Sequence, residues 1–441
     1  MDTINKYGLQ TPKILLPKDN GMLTKWPVVA CDQYTQEKAY WEKVSNFVGN
    51  APSTLNLILP EVYLEDGNKE ERIAKIRNTM SKYLQENVFK TPLSAMIYLE
   101  RQTEYGRTRK GIITCIDLET YEWKPFSHAL IRATEATIVD RIPPRMKIRQ
   151  GALLESPHIM LLVNDSEKKL IEKTGELAKK ENKQLYDISL MMNAGKISGW
   201  EISPEDSDIQ TNITTALNSI KNENTDDTGA PFMFAVGDGN HSLATAKAVW
   251  DEYKTKEKIT DHPARYALVE IVNIYDEGLT FEPIHRVLYD IDKTGLISFL
   301  QTQLSSTTTI KRIECTSEEK LEKKVKESIG SFGFVYKDEK NISHYTLLET
   351  SISDLIVSHV QPLIDDFLKT QPSSSIIDYI HGSNEVFRLG KNKNAITILL
   401  PPIAKQSFFK TISHSGPLPR KSFSMGEASE KRFYMESRKL F

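Results

Sequence analysis

Apolar positions between residues 70 and 84 recur at helical spacing: Ile73, Ile76, Met80, Tyr83 and Leu84 share one stripe, which predicts an amphipathic helix. Two β-rich runs follow at 95–102 and 111–118, and the polar turn TEYGRTRK between them predicts a hairpin. The apolar run 159–163 has the length of a buried strand, and residues 166–180 place Leu170, Ile171, Thr174, Leu177 and Ala178 on one helical face. Residues 124–157 are irregular, broken at Pro143 and Pro144. Their Arg132, Arg141, Arg145 and Arg149 fit either a loop that binds an anion or a surface connection with ordinary salt bridges. The stretch NENTDDTG at 222–229 reads as a polar linker.

Beyond residue 296 the pattern changes. A strand at 307–313 leads to a helix opened by a capping box, Thr316 to Glu319, which carries Leu321, Val325 and Ile329 and stops at Gly330. Strands at 333–336 and 344–348 follow. A helix then sets Leu355, Ile356, His359, Val360, Leu363, Ile364 and Phe367 on its buried face, where His359 reads as a core histidine, and 395–400 is a further buried strand. The pattern predicts an α+β chain of two domains, residues 1–295 and 296–441.

Composition narrows the class. The 441 residues exceed what one core usually organises. Lys plus Arg is 57 and Asp plus Glu is 59, so 57 − 59 gives a net charge of −2, and nucleic acid is disfavoured as a partner for want of a global cationic field. With 39% hydrophobic and 26% charged residues the chain lies in the ordinary globular range, far from disordered compositions. No apolar run approaches the roughly 18 residues of a membrane helix, and the first twenty residues lack a secretory pattern, so no membrane is expected and the cytoplasm is the default location. Cys31, Cys115 and Cys315 are far apart, without metal or redox spacing.

The sharpest chemical signal is PFMFAVGDGNHSLATAKAVW at 231–250. Residues 232–236 predict a short strand, Gly237, Asp238 and Gly239 a tight turn, and Ser242 onward an alanine-rich helix. Such a turn aims backbone N–H groups and the positive end of the helix dipole at one point, and its glycines let a phosphate or carboxylate approach the backbone. His241 can donate to an anion or move a proton; Asn240 and Ser242 add neutral donors; Asp238 can hold a metal or act as a base. The same residues also fit a plain capped turn, with Asp238 or Asn240 satisfying the helix end.

The segments VGDGNHSLATAK, ARYALVEIVNIYDEGLTFEPIHRVL, PLPRKSFSMGEASEKRFYMESRK, ERQTEYGRTRKGIITCIDLETYEW and FSHALIRATEAT resemble the domain-of-unknown-function 1015 family over nearly the whole chain. The commonest family form of the glycine turn, DGHHR, is itself similar to the phosphate-binding turn of the ParB and sulfiredoxin superfamily, which includes nucleotide-binding proteins and free-serine kinases. Asp238, Gly239 and His241 match that pattern, Asn240 replaces its first histidine and Ser242 its arginine. Loss of a bidentate guanidinium removes the strongest anion clamp the turn could carry. The EPIHR match keeps His285 and Arg286 after Glu282, at the end of a strand and turn, and FSHALIRATE keeps His128 and adds Arg132. A sulfiredoxin-like role would want a cysteine in the glycine turn, where this chain has Asn240 and Ser242; Cys31 and Asp32 end a separate apolar strand.

The resemblance implies a ParB/sulfiredoxin-like α+β unit over residues 1–295, completed by a smaller C-terminal α+β domain. It implies a nucleotide-dependent small-molecule kinase using ATP or ADP with Mg²⁺. In it Gly237, Gly239, Asn240, Ser242, Arg286, His128 and Arg132 hold the nucleotide, Asp238, His241, Glu282 and His285 do the chemistry, and Asp238 meets the metal. The alternative is a non-catalytic regulatory protein that binds a nucleotide or small anion. The C-terminal 25 residues carry Arg420, Lys421, Lys431, Arg432, Arg438 and Lys439 against Glu427, Glu430 and Glu436; Phe423, Phe433 and Tyr434 predict that this segment packs on the body.

Overall fold

The chain starts with short strands β1 (Leu9–Gln10) and β2 (Lys13–Ile14), followed by helices α1 (Lys38–Val48) and α2 (Lys69–Gln85). Ile73, Ile76, Met80 and Tyr83 form the buried stripe of α2, as their spacing predicts. Next come β3 (Leu93–Ser94), then β4 (Met96–Gln102) and β5 (Thr108–Asp117), which pair as the expected hairpin. The computed structural model describes residues 3–19, 21, 23–137, 140, 142–181 and 183–441. Arg141 of the predicted arginine-rich loop lies outside the described residues.

Three short strands, β6 (Tyr121–Glu122), β7 (Ile131–Ala133) and β8 (Leu154–Glu155), and helix α3 (Ile142–Arg149) give order to much of the stretch read as irregular. Strand β9 (Ile159–Val163) is buried at every position. Helix α4 (Ile171–Lys180) begins five residues later than its stripe suggested, because the Asp165 carboxylate accepts the Leu170 N–H and holds the chain in a loop before it. β10 (Gln184–Ser189), β11 (Lys196–Ile202), α5 (Ser207–Glu223), β12 (Phe234–Asp238), α6 (Asn240–Glu257) and β13 (Tyr266–Asn273) follow.

The order β10-β11-β4-β5-β13-β9-β12-β7-β6, with β1 added against β5, makes a ten-stranded mixed sheet among the described residues. Neighbours β13/β9, β12/β7 and β6/β7 run parallel; β12 and β9 run antiparallel. Inner strands such as β9 read as continuous apolar runs because both of their faces are covered.

From residue 280 a second sheet is built from β14 (Phe281–Tyr289), β15 (Ile310–Glu314), β16 (Phe332–Lys337), β17 (Ser343–Thr350), β18 (Ile376–His381), β19 (Ala395–Leu399) and β20 (Phe423–Met425). Its order is β15-β17-β16-β19-β14-β18, with β20 on β14, and every pairing is antiparallel. Helices α7 (Lys293–Ser305), α8 (Glu318–Lys326), α9 (Ile356–Leu368), α10 (Ser383–Gly390) and α11 (Lys405–Ser415) accompany it. The cap of α8 is Ser317, whose hydroxyl accepts the Lys320 N–H, rather than Thr316. His359 is a half-exposed partner of Asp354 at 2.8 Å, not a core residue.

Two compact units result: Met1–Leu279 with Gly426–Phe441, and Thr280–Met425. The break therefore precedes β14, where the sequence pattern placed it at residue 295, and the last sixteen residues return to the first unit. There β21 (Arg438–Lys439) pairs with β8, Ser437 bridges to Leu15, and Phe433 to Val29. The aromatic C-terminal segment is packed, as its composition predicts, with Phe433 and Tyr434 buried. Both units are α+β. Among the described residues, no helix is long and apolar enough to cross a membrane.

Candidate functional site

The glycine-rich junction sits where β12 delivers the chain into α6. Its strand lies two residues later than the sequence suggests: β12 runs from Phe234 through Gly237 to Asp238, and the turn is Gly239 alone. Gly237 is the extra residue of a β-bulge, since Val236 faces Leu161 while Asp238 faces Met160. Gly239 has φ +81°. A side-chain carbon there would stand 3.2 Å from both His158 Cδ2 and Ile159 Cα. The glycine is thus required by the left-handed turn and by close packing on the start of β9.

Asn240 opens α6 two residues before the expected start and turns inward. Its Oδ1 accepts the Thr134 N–H at 3.1 Å, and its Nδ2 donates to Thr134 Oγ1 and to the Val236 carbonyl. That side chain clamps the junction to the end of β7, so only its backbone is left for a ligand. Asp238 is engaged on both oxygens: Oδ1 accepts the Gly239 N–H at 2.9 Å and Oδ2 lies 3.2 Å from Lys431 Nζ. A carboxylate so occupied does not fit the expected metal ligand, and among the described residues no group of three or more His, Cys, Asp or Glu is placed to hold a metal ion.

No side chain among the described residues caps α6. Its first turn holds His241, partly exposed, and Ser242, which with Thr245 lines a cavity of about 180 Å³. Cys31, His158, Arg149 and Tyr434 line the same cavity, beside apolar residues such as Leu57, Leu59 and Met80. Arg149 pairs with Glu155 at 2.6 Å, yet its buried Nε has no hydrogen-bond partner among the described residues. Arg145, also at the cavity wall, is paired with Glu61. An uncapped helix start and an unused guanidinium N–H at one cavity are a donor set that suits the phosphate end of a nucleotide.

The strongest electrostatics at this cavity come from residues the sequence did not connect. His158 Nε2 lies 3.3 Å from Asp32 Oδ2, and Tyr434 Oη lies 2.6 Å from His158 Nδ1. Burial alone would depress the imidazolium, but Tyr434, Asp32 and Cys31 outweigh it and raise His158 well above its usual value. Burial likewise opposes ionisation of Asp32, and His158, Gln33 and Lys431 overcome it, holding the carboxyl far below the usual range. Burial, Cys31 and Asp32 keep the Tyr434 hydroxyl protonated. His158 directly precedes the buried run of β9, a strand-end position that was its only sequence signal.

The remaining expected site residues lie elsewhere. His128 and Arg132 converge on Asp226 of the polar linker, at 2.9 and 2.8 Å, and bridge the chain there rather than the glycine junction. Glu282, His285 and Arg286 belong to β14 of the second unit, inside a strand and not at its end. His285 is buried and pushed down to about 3 by that burial and by Arg286; its neutral Nδ1 accepts the Leu400 N–H at 3.1 Å, a structural role. Arg286 is spent within the same unit, donating to Gln361 Oε1 at 2.7 Å and to the Lys421 carbonyl. Glu282 is exposed opposite Ser424 of β20.

The sequence profile of the family described as Protein of unknown function (DUF1015) matches residues 14–365. The chain belongs to that family. No curated protein matches this DUF1015 chain. Among solved structures it is similar to a conserved hypothetical protein from Pyrococcus furiosus, with 10% identity and a TM-score of 0.36 over 74% of this chain and 94% of that one. It is also similar to a free serine kinase in complex with AMP, at 9% identity and TM-score 0.37 over 73% and 90%. A third likeness is to SbnI with a C-terminal truncation from Staphylococcus aureus, at 8% identity and TM-score 0.35 over 71% and 83%. The family description assigns this DUF1015 member no activity.

Proposed function

We propose that the chain is a cytoplasmic, nucleotide-dependent phosphotransferase acting on a small hydroxylated molecule, with the phosphates of ATP or ADP held at the amino end of α6. One observation carries this reading: the eighteen-residue α6 starts without a side-chain cap among the described residues, and its first turn opens through Ser242 on the cavity that His158 and Arg149 also line. The positive end of the helix dipole favours an anion there. The protonated His158 and Arg149 Nε add positive charge where it would build up on a transferring phosphoryl group. His241 in the first turn is assigned a share of that charge, and Asp238, steadied by Lys431, the acceptance of the hydroxyl proton. The ParB/sulfiredoxin-like architecture inferred from the glycine turn belongs to the same proposal.

A second reading, binding without transfer, is favoured by the prior engagement of both Asp238 oxygens. Calorimetric titration with ATP, ADP, AMP and inorganic phosphate tests binding. A panel of small hydroxy acceptors that includes free serine, followed by phosphate-transfer assay, separates the two readings. Ser242→Asp places a negative charge where the phosphates would sit while favouring the helix, so nucleotide affinity is expected to fall more than tenfold with no loss of melting temperature. His241→Ala is expected to lower turnover with the fold intact. Unchanged affinity in Ser242→Asp, or no nucleotide binding by the native chain, overturns the assignment.

A further inference from the structure

Cys31 was set aside on sequence grounds, yet the fold surrounds it with groups that act on a sulfur. Its Sγ lies 3.9 Å from His158 Nδ1, and the Tyr434 hydroxyl stands beside it. That hydroxyl also receives the Cys31 backbone N–H at 3.1 Å and sits 2.6 Å from His158 Nδ1. On the far side of the ring, Asp32 fixes Nε2, and Gln33 holds Asp32 by donating to its Oδ1 at 2.8 Å. The imidazole is therefore a resident cation with its carboxylate behind it and the sulfur in front. The other charged groups at this cavity are Glu61, paired with Arg145, and Glu155, paired with both Arg149 and Arg438.

We propose that Cys31 is a reactive thiol centre, a modification site whose co-reactant is a small peroxide entering the cavity next to α6. The sulfur gives up its proton to water, leaving a thiolate against the resident imidazolium, which regains a proton from water after turnover. The thiolate lone pair forms an S–O bond with one peroxide oxygen, and the O–O bond breaks. The departing hydroxide takes the imidazolium proton and leaves as water. Cys31 is oxidised by two electrons to the sulfenic acid and the peroxide is reduced. The thiol shares His158 and this cavity with the proposed phosphate site, but its test uses no nucleotide, so either assignment can fail without the other.

The chain contains its own controls. Cys115 is buried and pushed up to about 12, and Cys315, partly exposed like Cys31, is raised by burial, with Lys324, Glu314 and Lys320 as its charged neighbours. The experiment is alkylation of the full-length native protein with iodoacetamide between pH 5 and 9, each cysteine followed by peptide mapping, with dimedone labelling after substoichiometric hydrogen peroxide. Cys31 is expected to alkylate at least tenfold faster than Cys315 at pH 7 and to be the residue that dimedone labels. His158→Gln and Tyr434→Phe are expected to slow Cys31 alkylation at pH 7 at least tenfold and to remove the dimedone label. If either variant fails to fold, the native comparison of Cys31 with Cys315 still decides. Equal rates at the two cysteines, or no dimedone label on Cys31, overturns the proposal.

Discussion

Asp32 and His158 show how two residues 126 positions apart come to titrate as one unit. His158 keeps its proton on folding because its folded value is raised, so the stability it lends is complete below 6.5 and is lost as pH rises through that folded value. Asp32 is depressed, so its contribution is complete above 3.8 and is lost as pH falls through its folded value. The stability difference between the native chain and an Asp32→Asn, His158→Gln double variant is therefore expected to be flat between 3.8 and 6.5 and to decline on either side, as urea unfolding across pH would read. Arg432 is a second case. It is 1% exposed, paired with Glu436 and, at 3.2 Å, with Glu270. Arg432→Met leaves those buried carboxylates to Tyr186 and Arg109 alone, and the first unit is expected to lose about 3–5 kcal/mol of unfolding free energy.

Elements whose signal is local were legible: the stripe of α2, the β4/β5 hairpin and the run of β9 each follow from residue spacing that any folded context preserves. Element ends were less so, because a distant side chain chose them. α6 starts at Asn240 since the Asn240 amide reaches Thr134 on the neighbouring strand, a partner invisible along the chain. Gly239→Ala is expected to cost about 1–3 kcal/mol through its left-handed backbone and its contact with Ile159, measured as a lowered unfolding midpoint. At α8 the caps can be told apart directly. Ser317→Ala is expected to cost about 1 kcal/mol, and Thr316→Ala less than about 0.5 kcal/mol, in the stability of the second unit.

The division of the whole molecule depends on its last sixteen residues, which close the first unit through the Ser437 bridge to Leu15, the Arg438 pair with Glu155 and the Trp26 Nε1 hydrogen bond to the Met435 carbonyl at 2.9 Å. A chain ending at Met425 is expected to lose cooperative unfolding of that unit, while residues 280–425 expressed alone keep theirs, as calorimetry would show. The sequence by itself determined the α+β class, the family, helices α2, α4, α6, α8 and α9, strands such as β4, β5 and β9, and the junction before α6, because each is written in spacing or in a contiguous motif. It could not determine that Asn240 faces inward, that His128 and Arg132 serve Asp226, or that His158 and Tyr434 meet Cys31. Those pairings join residues about a hundred to four hundred positions apart, and only strand order and the returning C-terminal segment bring them within a few ångströms.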